Sequence, residues 1–407
     1  MVVDEPHRHS SERPRDQWIA VGSIAAGTFL LVTAEFLPIG LLSRLATDLQ
    51  ISEGAAGLAV TAPGFVAAFA APAFVLLAGR ADRRLIVTVL TAAIVISCLI
   101  SATAESFHFF LLGRLILGLA VGGVWTFAVA VGRRLVSSGS GARATAIISA
   151  GISAGTVAGM PVGAVLGEWI GWRATFAATA VLGVLVVIAQ LCFLPRLAPA
   201  RAIGVGGLRA FARIPMARIG LIASGLVAAG HFIGYTFLEP YLRGALRLEQ
   251  AGVALALGGY AVAGIVGSFL GEQLAVQNIR RAFVVVSALL GVSVLAAIAA
   301  TGTAVGAIGM VMVWGLAFGA VPVCVQIWMF TSSPDLYEAG SALMVSAFQI
   351  SLAAGAAIGG VLVDHAGIAA AFIASAVVTF GGAATALLSR PSWATTHDAD
   401  SPLGKQI

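Results

Sequence analysis

The chain has 407 residues, of which 59% are hydrophobic and only 10% are charged, and its mean hydropathy is +1.00. Because soluble domains carry about 25% charged residues, this composition excludes a water-soluble protein and predicts one that is embedded in a lipid bilayer. The formal net charge of +5 does not indicate a nucleic-acid partner, since the basic residues lie between apolar runs. The cysteines fall inside apolar runs at a spacing that suits no zinc site, so we expect no bound metal.

Apolar runs of membrane-spanning length recur along the whole chain. About 20 apolar residues cover the hydrocarbon core of a bilayer, and by this measure we predict twelve transmembrane helices. The predicted spans are 18–42, 55–77, 85–104, 107–131, 144–166, 174–194, 219–242, 251–270, 282–300, 304–330, 341–363 and 369–388. The corresponding domains are a cytoplasmic N-terminal tail (1–17), an N-terminal six-helix bundle (18–194), a cytoplasmic linker (195–218), a C-terminal six-helix bundle (219–388) and a cytoplasmic C-terminal tail (389–407).

The arginines are distributed unevenly between the two sides of the predicted bundle. They concentrate in the N-terminal tail, in the loops that follow even-numbered spans and in the C-terminal tail. Cytoplasmic loops of membrane proteins carry the excess of Lys and Arg. The pattern therefore predicts a multi-pass protein of the plasma (inner) membrane with both termini in the cytoplasm.

The two halves of the chain repeat each other. The glycine spacing in RLILGLAVGG (114–123) matches that in WGLAFGAVPV (314–323), and GAVLGEWIGWRATF (163–176) matches GGVLVDHAGIAAAF (359–372). The matched glycines have nearly the same offset along the chain. We therefore predict an all-α membrane protein whose twelve transmembrane helices form two pseudo-symmetric six-helix bundles. Tandem halves with a site between them near the midplane of the bilayer are a transporter plan.

One acid, Glu35, lies inside the first predicted span, three residues before Pro38. A charged side chain at the centre of a span costs ~2.5–3.5 kcal/mol on insertion scales, so its default interpretation is functional. We predict that Glu35 carries the coupling proton and also contacts the substrate. The alternative is an acid in a water-filled mouth that only shapes the local field.

The seventh predicted span carries His231, Tyr235 and Glu239 at positions i, i+4 and i+8, a spacing that puts all three on one helical face. Such a stripe suits a proton relay or a hydrogen-bonding wall for a polar substrate. We predict that His231 and Glu239 take part in proton coupling and that His231 and Tyr235 bind substrate. The alternatives are a histidine that is satisfied within the core and a glutamate that is interfacial.

Among the other polar residues within predicted spans, we single out Arg114, Gln326 and Gln349. A buried guanidinium needs acceptors, and amides suit the edge of a nucleobase or a sugar, so we predict that all three bind substrate. Arg114 could instead be a structural clamp, and the glutamines could form interhelical hydrogen bonds. Three tryptophans within spans could stack on a base, although apolar packing is their commoner use: Trp125, Trp314 and Trp328.

The loop after the second predicted span resembles a motif of the major facilitator superfamily. It carries Gly79 followed by Asp82, Arg83 and Arg84, similar to the cytoplasmic Gly…Asp-Arg…Gly-Arg-Arg loop of that superfamily but without its second glycine. The resemblance implies that these residues latch cytoplasmic helix ends in one conformational state. Positive-inside anchoring alone would account for the arginines but not for Asp82.

Two more motifs extend this resemblance along the chain. Arg114 with Gly118 and Gly122 is similar to the superfamily's Arg-x-x-x-Gly-x-x-x-Gly pattern. The fifth span resembles the antiporter motif that marks proton-driven exporters. The matching residues are Gly151, Gly155, Gly159, Pro161 and Gly163, and the match is imperfect because Met160 separates Gly159 from Pro161. Such glycines permit close helix crossings that could slide during alternating access, although static tight packing is equally compatible.

The segments GRLILGLAVGGVW, GEWIGWR, WGLAFGAVPV and AEFLPIGLL resemble the twelve-helix drug:proton antiporter branch, and within it bacterial purine-ribonucleoside efflux pumps. The resemblance implies proton-coupled efflux of small solutes, with purine ribonucleosides favoured. We expect a monomer that needs no cofactor beyond the proton gradient. A sugar or drug exporter of the same branch and a proton-coupled uptake symporter are the alternatives.

An enzyme is not expected. The only lysine is Lys405 in the C-terminal tail, so the chain has no phosphate-loop lysine. The segment GISAG (151–155) matches the nucleophile pattern of hydrolases, but it lies within a glycine-rich span and follows no predicted strand.

Overall fold

A computed structural model describes residues 17–77, 81–137, 140–197 and 205–388. All regular secondary structure in these ranges is helical, and eleven helices within them are long and apolar enough to cross a membrane. The predicted all-α membrane fold is therefore confirmed. Gly79 and both predicted tails, apart from Gln17, lie outside the described ranges.

The membrane helices follow one another with short connections. They are α1 (Trp18–Phe36), α2 (Leu58–Leu77), α3 (Arg83–Ala102), α4 (Phe107–Arg134), α5 (Gly141–Trp169), α6 (Gly171–Phe193), α7 (Pro215–Tyr235), α8 (250–277), α9 (279–299), α10 (Ala304–Ser332), α11 (Tyr337–Ala366) and α12 (Ile368–Leu388). Shorter helical segments are Leu37–Leu41, Leu42–Asp48, Glu53–Ala56, Val205–Ala212, Leu238–Pro240, Tyr241–Ala245 and Pro334–Leu336. Within the predicted linker, Val205–Ala212 is thus helical, and α7 already begins at Pro215.

Helices α8 and α9 follow each other directly within Gln250–Ala299, a stretch of 50 residues. At ~1.5 Å per residue this run is far longer than the ~30 Å hydrocarbon core of a bilayer. Asn278 interrupts it with an extended backbone (φ −161°, ψ 101°), and its side-chain oxygen accepts the backbone N–H of Arg281 at 2.9 Å. This bond caps α9 as a separate helix. With the two arms counted separately, the described residues contain twelve membrane segments, which is consistent with the predicted number.

Buried apolar residues form two large clusters that follow the two halves of the chain. Every buried member of one cluster lies between Ala20 and Leu194. The other is built mainly from residues 211–386 and also includes four residues of the first half: Ile39, Val60, Met160 and Ala164. Each half therefore packs around its own core. Those four residues extend the second core across the interface between the halves, which we call the seam.

Glycines let α5 lie directly against the backbone of α1. A methyl group added at Gly155 would lie 2.7 Å from the carbonyl oxygen of Phe29, and one added at Gly163 would lie 2.8 Å from that of Leu37. Gly359 of α11 faces the carbonyl oxygen of Ile233 on α7 in the same way. The matched glycines of the sequence repeat thus occupy matched helix contacts, because only a residue without Cβ allows backbones to approach so closely.

Candidate functional site

Glu35 lies in the last turn of α1, where the helix changes character. Pro38 follows it, and residues Leu37–Leu41 form a 3-10 helix. The Glu35 side chain is 2% exposed, and its Oε1 accepts a hydrogen bond from Nε2 of Gln349 at 3.3 Å. Gln349 belongs to α11, so the structure brings together two predicted site residues from opposite halves.

Arg114 is fully buried in α4, and its guanidinium binds backbone oxygen atoms of two other helices. Nη1 donates to the carbonyl oxygen of Ala34 at 2.8 Å, and Nη2 donates to that of Glu35 at 2.9 Å. Nε donates to the carbonyl oxygen of Ala59 on α2 at 2.7 Å. Arg114 therefore clamps α1 and α2 together beside Glu35, as the structural alternative expected. Its predicted contact with substrate stays a prediction.

Two prolines explain why two of these carbonyl groups, those of Ala34 and Ala59, need a side-chain donor. In an α-helix each carbonyl accepts the N–H four residues later, and proline has none. Pro38 stands four residues after Ala34, and Pro63 stands four residues after Ala59. The guanidinium of Arg114 replaces both missing donors, which otherwise would leave buried carbonyl groups without partners.

His231 is fully buried in α7 at the centre of an aromatic cluster. Its Nδ1 accepts a hydrogen bond from the indole Nε1–H of Trp314 at 3.1 Å. Its ring stacks on Phe318 with centroids 3.4 Å apart and planes 4° from parallel, and on Tyr235 with centroids 4.6 Å apart. The remaining rings of the cluster are Phe36, Phe232, Tyr260 and Phe348. His231 and Tyr235 thus lie together, as predicted.

The α-helical stripe does not extend to Glu239, so that part of the prediction is wrong. Helix α7 ends at Tyr235, and Glu239 lies in the short segment Leu238–Pro240. The cause is Pro240, which cannot donate to the carbonyl of Thr236 and so interrupts the helix. The proposed role of Glu239 in proton coupling stays a prediction, but it no longer rests on a shared helix face.

Glu239 instead lies at one end of the bundle, which we call the acidic end and define by Asp48, Glu53, Glu168, Glu239 and Asp364. Its Oε2 accepts hydrogen bonds from Ser43 Oγ at 2.9 Å and from Ser43 N at 3.2 Å. Its Oε1 accepts one from Arg243 Nε at 2.7 Å. Because Ser43 belongs to the first half and Glu239 to the second, this carboxylate fastens the halves together.

Asp364 makes a second connection between the halves at the acidic end. Its two carboxylate oxygens accept from Ser52 Oγ at 2.6 Å and from Gly54 N at 2.9 Å. The side chain of Gln250 also donates to the carbonyl oxygen of Ala164 across the seam. The acidic end is therefore closed by hydrogen bonds between the halves.

Apart from the predicted latch residues, the remaining predicted site residues lie in α10 and α5. Gln326 is an exposed residue of α10, and the structure does not bring it to the contact between Glu35 and Gln349. Gly151 and Gly159 pack against α1 near Ala25 and Thr33. Pro161 lies inside α5.

The predicted latch residues connect helices of the first half. Asp82 Oδ1 accepts the backbone N–H groups of Leu197 at 3.0 Å and Arg84 at 2.9 Å. The Leu197 bond, followed by the Arg84 bond and nearby arginines, holds the pKa of Asp82 below its ordinary value. Arg83 lies 4.9 Å from the ring centroid of Phe127, and Arg84 donates to the carbonyl oxygen of Leu191. Their role as a latch stays a prediction.

Sequence reasoning missed two partners that matter for this geometry. Trp314 was expected to pack or to stack, whereas it donates a hydrogen bond to His231. Ser43 was not singled out, although it binds both Glu53 and Glu239. A buried tryptophan usually finds a hydrogen-bond partner for its indole N–H. This rule was the available signal for the bond between Trp314 and His231.

The chain is similar to known proteins over most of its length. The sequence model of the Major Facilitator Superfamily matches residues 24–345. The purine ribonucleoside efflux pump NepI of Salmonella paratyphi C (strain RKS4594) is 34% identical over 354 residues, which cover 87% of this chain and 89% of the pump. The pump of the same name from Shigella dysenteriae serotype 1 (strain Sd197) is 33% identical over 354 residues, which cover 87% of this chain and 90% of the pump.

Solved structures show the same fold. A bacterial homologue of the human lysosomal transporter Spinster, in an inward-facing and occupied conformation, has a TM-score of 0.77 at 16% identity, with 93% of this chain and 97% of that chain covered. The same homologue in an inward-facing and unoccupied conformation has a TM-score of 0.71 at 14% identity, with coverages of 92% and 95%.

Proposed function

Because the chain belongs to the major facilitator superfamily and is therefore a membrane transporter and not an enzyme, we propose that it exports small polar solutes in exchange for protons. Purine ribonucleosides are the favoured substrates. The mechanism is alternating access, in which proton and substrate stabilise states that face opposite sides of the membrane.

The hydrogen bond between Glu35 and Gln349 carries this proposal. It joins a membrane-buried carboxyl group of the first half to a carboxamide of the second half. Proton uptake or release at Glu35 changes the charge at the seam, so it changes the relative free energies of the states in which the halves close on either side. Arg114, bound to the Glu35 carbonyl oxygen, places a positive charge beside the same carboxyl group.

The aromatic cluster supports a flat, polar substrate. His231 and Tyr235 lie among stacked and edge-on rings, and aromatic faces attract planar heterocycles by stacking. The oxygen Oε1 of Gln349 has no hydrogen-bond partner among the described residues and offers an acceptor to a polar edge. A purine ribonucleoside has both a planar ring and polar edges, and the relatives that are about one-third identical are named as purine ribonucleoside efflux pumps.

The distribution of arginine supports the orientation. We assign the arginine-rich end to the cytoplasm of a cell with an inner membrane, together with both termini, and the acidic end to the outer face. The hydrogen bonds between the halves that close the acidic end support a state in which access from the outer face is blocked.

Transport by purified protein in liposomes tests the proposal. Labelled inosine is equilibrated at the same concentration inside and outside the vesicles, and a pH gradient is then imposed across the membrane. We expect an antiporter to move inosine up its concentration gradient in the direction opposite to proton flow, and sugars or cationic drugs to compete poorly. Movement of inosine in the same direction as protons would identify an uptake symporter, and transport of sugars or drugs but not of inosine would overturn the substrate assignment.

A further inference from the structure

The hydrogen bond between Trp314 and His231 fixes which ring nitrogen of the imidazole carries the proton. An indole N–H can only donate, and it meets His231 at Nδ1, 3.1 Å away. Nδ1 must therefore be the acceptor. A neutral imidazole has one N–H, so the proton of His231 resides on Nε2.

The opposite nitrogen is left with an unused donor. Nε2 of His231 is buried and has no hydrogen-bond partner within the described ranges. Leaving a buried donor without an acceptor costs ~1–3 kcal/mol. The stack on Phe318 fixes the plane of the imidazole ring. The bond from Trp314 to Nδ1 leaves Nε2 on the side of the ring that faces away from the indole. The donor is thus held ready for an acceptor that comes from outside the protein.

We infer that Trp314 is a positioning residue, which holds His231 as the Nε2–H tautomer so that the imidazole donates a hydrogen bond to an acceptor atom of the transported molecule. This inference rests on the proposed function, in which His231 binds the substrate. A planar heterocycle with a ring nitrogen or carbonyl oxygen at its edge supplies both the acceptor and a face that suits the surrounding rings.

The same geometry separates His231 from proton carriage in the described conformation. Protonation of Nδ1 would place two donors against each other and break the Trp314 bond. The titratable groups in ring contact with the pair are Tyr235 of α7, against His231, and Tyr260 of α8, against Trp314. The rest of the cluster around the imidazole is formed by phenylalanines. Of the residues predicted to couple protons, this leaves the two buried carboxyl groups, Glu35 and Glu239.

A spectroscopic experiment tests the tautomer without any transport. The protein is labelled with 15N-histidine, and the resonances of His231 are assigned by their loss in His231→Gln. We expect a protonated Nε2 and an unprotonated Nδ1 at neutral pH in the wild type. Trp314→Phe should give a mixture of tautomers. A protonated Nδ1 in the wild type, or an unchanged tautomer in Trp314→Phe, would overturn the inference.

Trp328→Phe is the matched control. Trp328 is 4% exposed and donates its indole N–H to the carbonyl oxygen of Met216 at 3.1 Å, so its replacement removes the same atoms from the same helix. It should leave the His231 tautomer unchanged. A tautomer shift as large as that of Trp314→Phe would show a general loosening of α10 and contradict the inference.

Inosine transport supplies a second, independent readout. Trp314→Phe should raise the KM for inosine about fivefold with little change in kcat, as expected for loss of one hydrogen bond to bound substrate. The side-chain amide of glutamine is always a donor. In a His231→Gln background the Trp314→Phe change should therefore raise KM no further, whereas a merely structural role would add its full effect.

The two arms distinguish failure of this inference from failure of the proposed function. If the wild type does not transport inosine but shows the predicted tautomer, the substrate assignment fails and the positioning by Trp314 stands. If inosine is exported and Trp314→Phe adds the same increase in KM in both backgrounds, the positioning role fails and the proposed function stands.

Discussion

The two halves of the molecule pack alike and differ at their centres. Gly163 in α5 and Gly359 in α11 each bring their helix against the backbone of the first membrane segment of their own half, at Leu37 and at Ile233. The first helix of one half carries Glu35, and the corresponding helix of the other carries His231. Repetition has thus kept the helix contacts, whereas one half holds an acid beside a guanidinium and the other holds an imidazole among aromatic rings.

The prolines explain why Arg114 has no arginine counterpart in the second half. Pro38 and Pro63 remove backbone donors, and Arg114 replaces them. Gly234 corresponds to Pro38 by the offset that relates Gly163 to Gly359, and Tyr260 corresponds to Pro63 by the offset that relates Gly118 to Gly315. Glycine and tyrosine both keep their N–H, so the second half needs no guanidinium. Its centre is free to be built from aromatic side chains.

Among the substitutions that test this comparison, replacement of Arg114 should have the largest effect on the stability of the protein. Arg114→Ala leaves the buried carbonyl groups of Ala34 and Ala59 without a donor, at ~1–3 kcal/mol each, and should greatly lower the unfolding temperature of the purified protein in detergent. Arg114→Lys should recover only part of the loss, because an ammonium group lacks the planar fork of a guanidinium. Arg84→Ala, which removes a single bond to a backbone carbonyl, is the control and should change little.

A second substitution connects the loss to the prolines. Pro63→Ala returns a backbone donor to the carbonyl of Ala59, so Arg114→Ala should cost less in that background than in the wild type. Equal losses in both backgrounds would contradict the explanation. An Arg114→Ala protein that unfolds at the wild-type temperature but transports nothing would identify Arg114 as a functional residue and not as a clamp.

Matched glycine substitutions test whether the halves really share their packing. Gly163→Ala would place a methyl group 2.8 Å from the Leu37 carbonyl oxygen, and Gly359→Ala would place one 2.8 Å from a ring carbon of Phe237. Each should lower the free energy of unfolding by ~1–3 kcal/mol, the usual cost of overpacking, as measured by chemical denaturation in detergent.

Gly309 of α10 is the control for the glycine pair. No side chain or distant backbone lies within 4 Å of a methyl group added there, so Gly309→Ala should stabilise the helix by up to ~1 kcal/mol through helix propensity. If either member of the pair behaved like Gly309→Ala, the two halves would not share this helix contact.

Replacement of Asp82 should have the smallest effect on stability, and this effect should depend on pH. Its pKa in the folded protein lies below the ordinary aspartate value of about 3.9. Its ionised form therefore favours folding above that value, and this contribution is lost as the pH falls through the lowered pKa. Asp82→Asn keeps a good helix N-cap but cannot titrate. Wild type and Asp82→Asn should therefore converge in unfolding temperature below about pH 4, and parallel curves across all pH values would contradict the account.

Particular residues show how far the sequence could predict this molecule. The polar residues within spans were identified individually, but the contact between Glu35 and Gln349 depends on packing between distant halves, and no local pattern encodes that. Two acceptors of Arg114 could have been predicted from the sequence, because Pro38 and Pro63 identify carbonyl groups that lack a backbone donor. Pro240 likewise announced the end of α7 before Glu239, and the helical spacing was extended too far across it.

The most direct test of the account is transport by Glu35→Gln in liposomes. Glutamine keeps the size of the side chain and can still accept the hydrogen bond from Gln349, but it cannot release a proton. We predict that Glu35→Gln loses the accumulation of inosine driven by an imposed pH gradient and retains exchange of labelled for unlabelled inosine. Gradient-driven accumulation at the wild-type level would contradict the central claim that this buried acid carries the coupling proton.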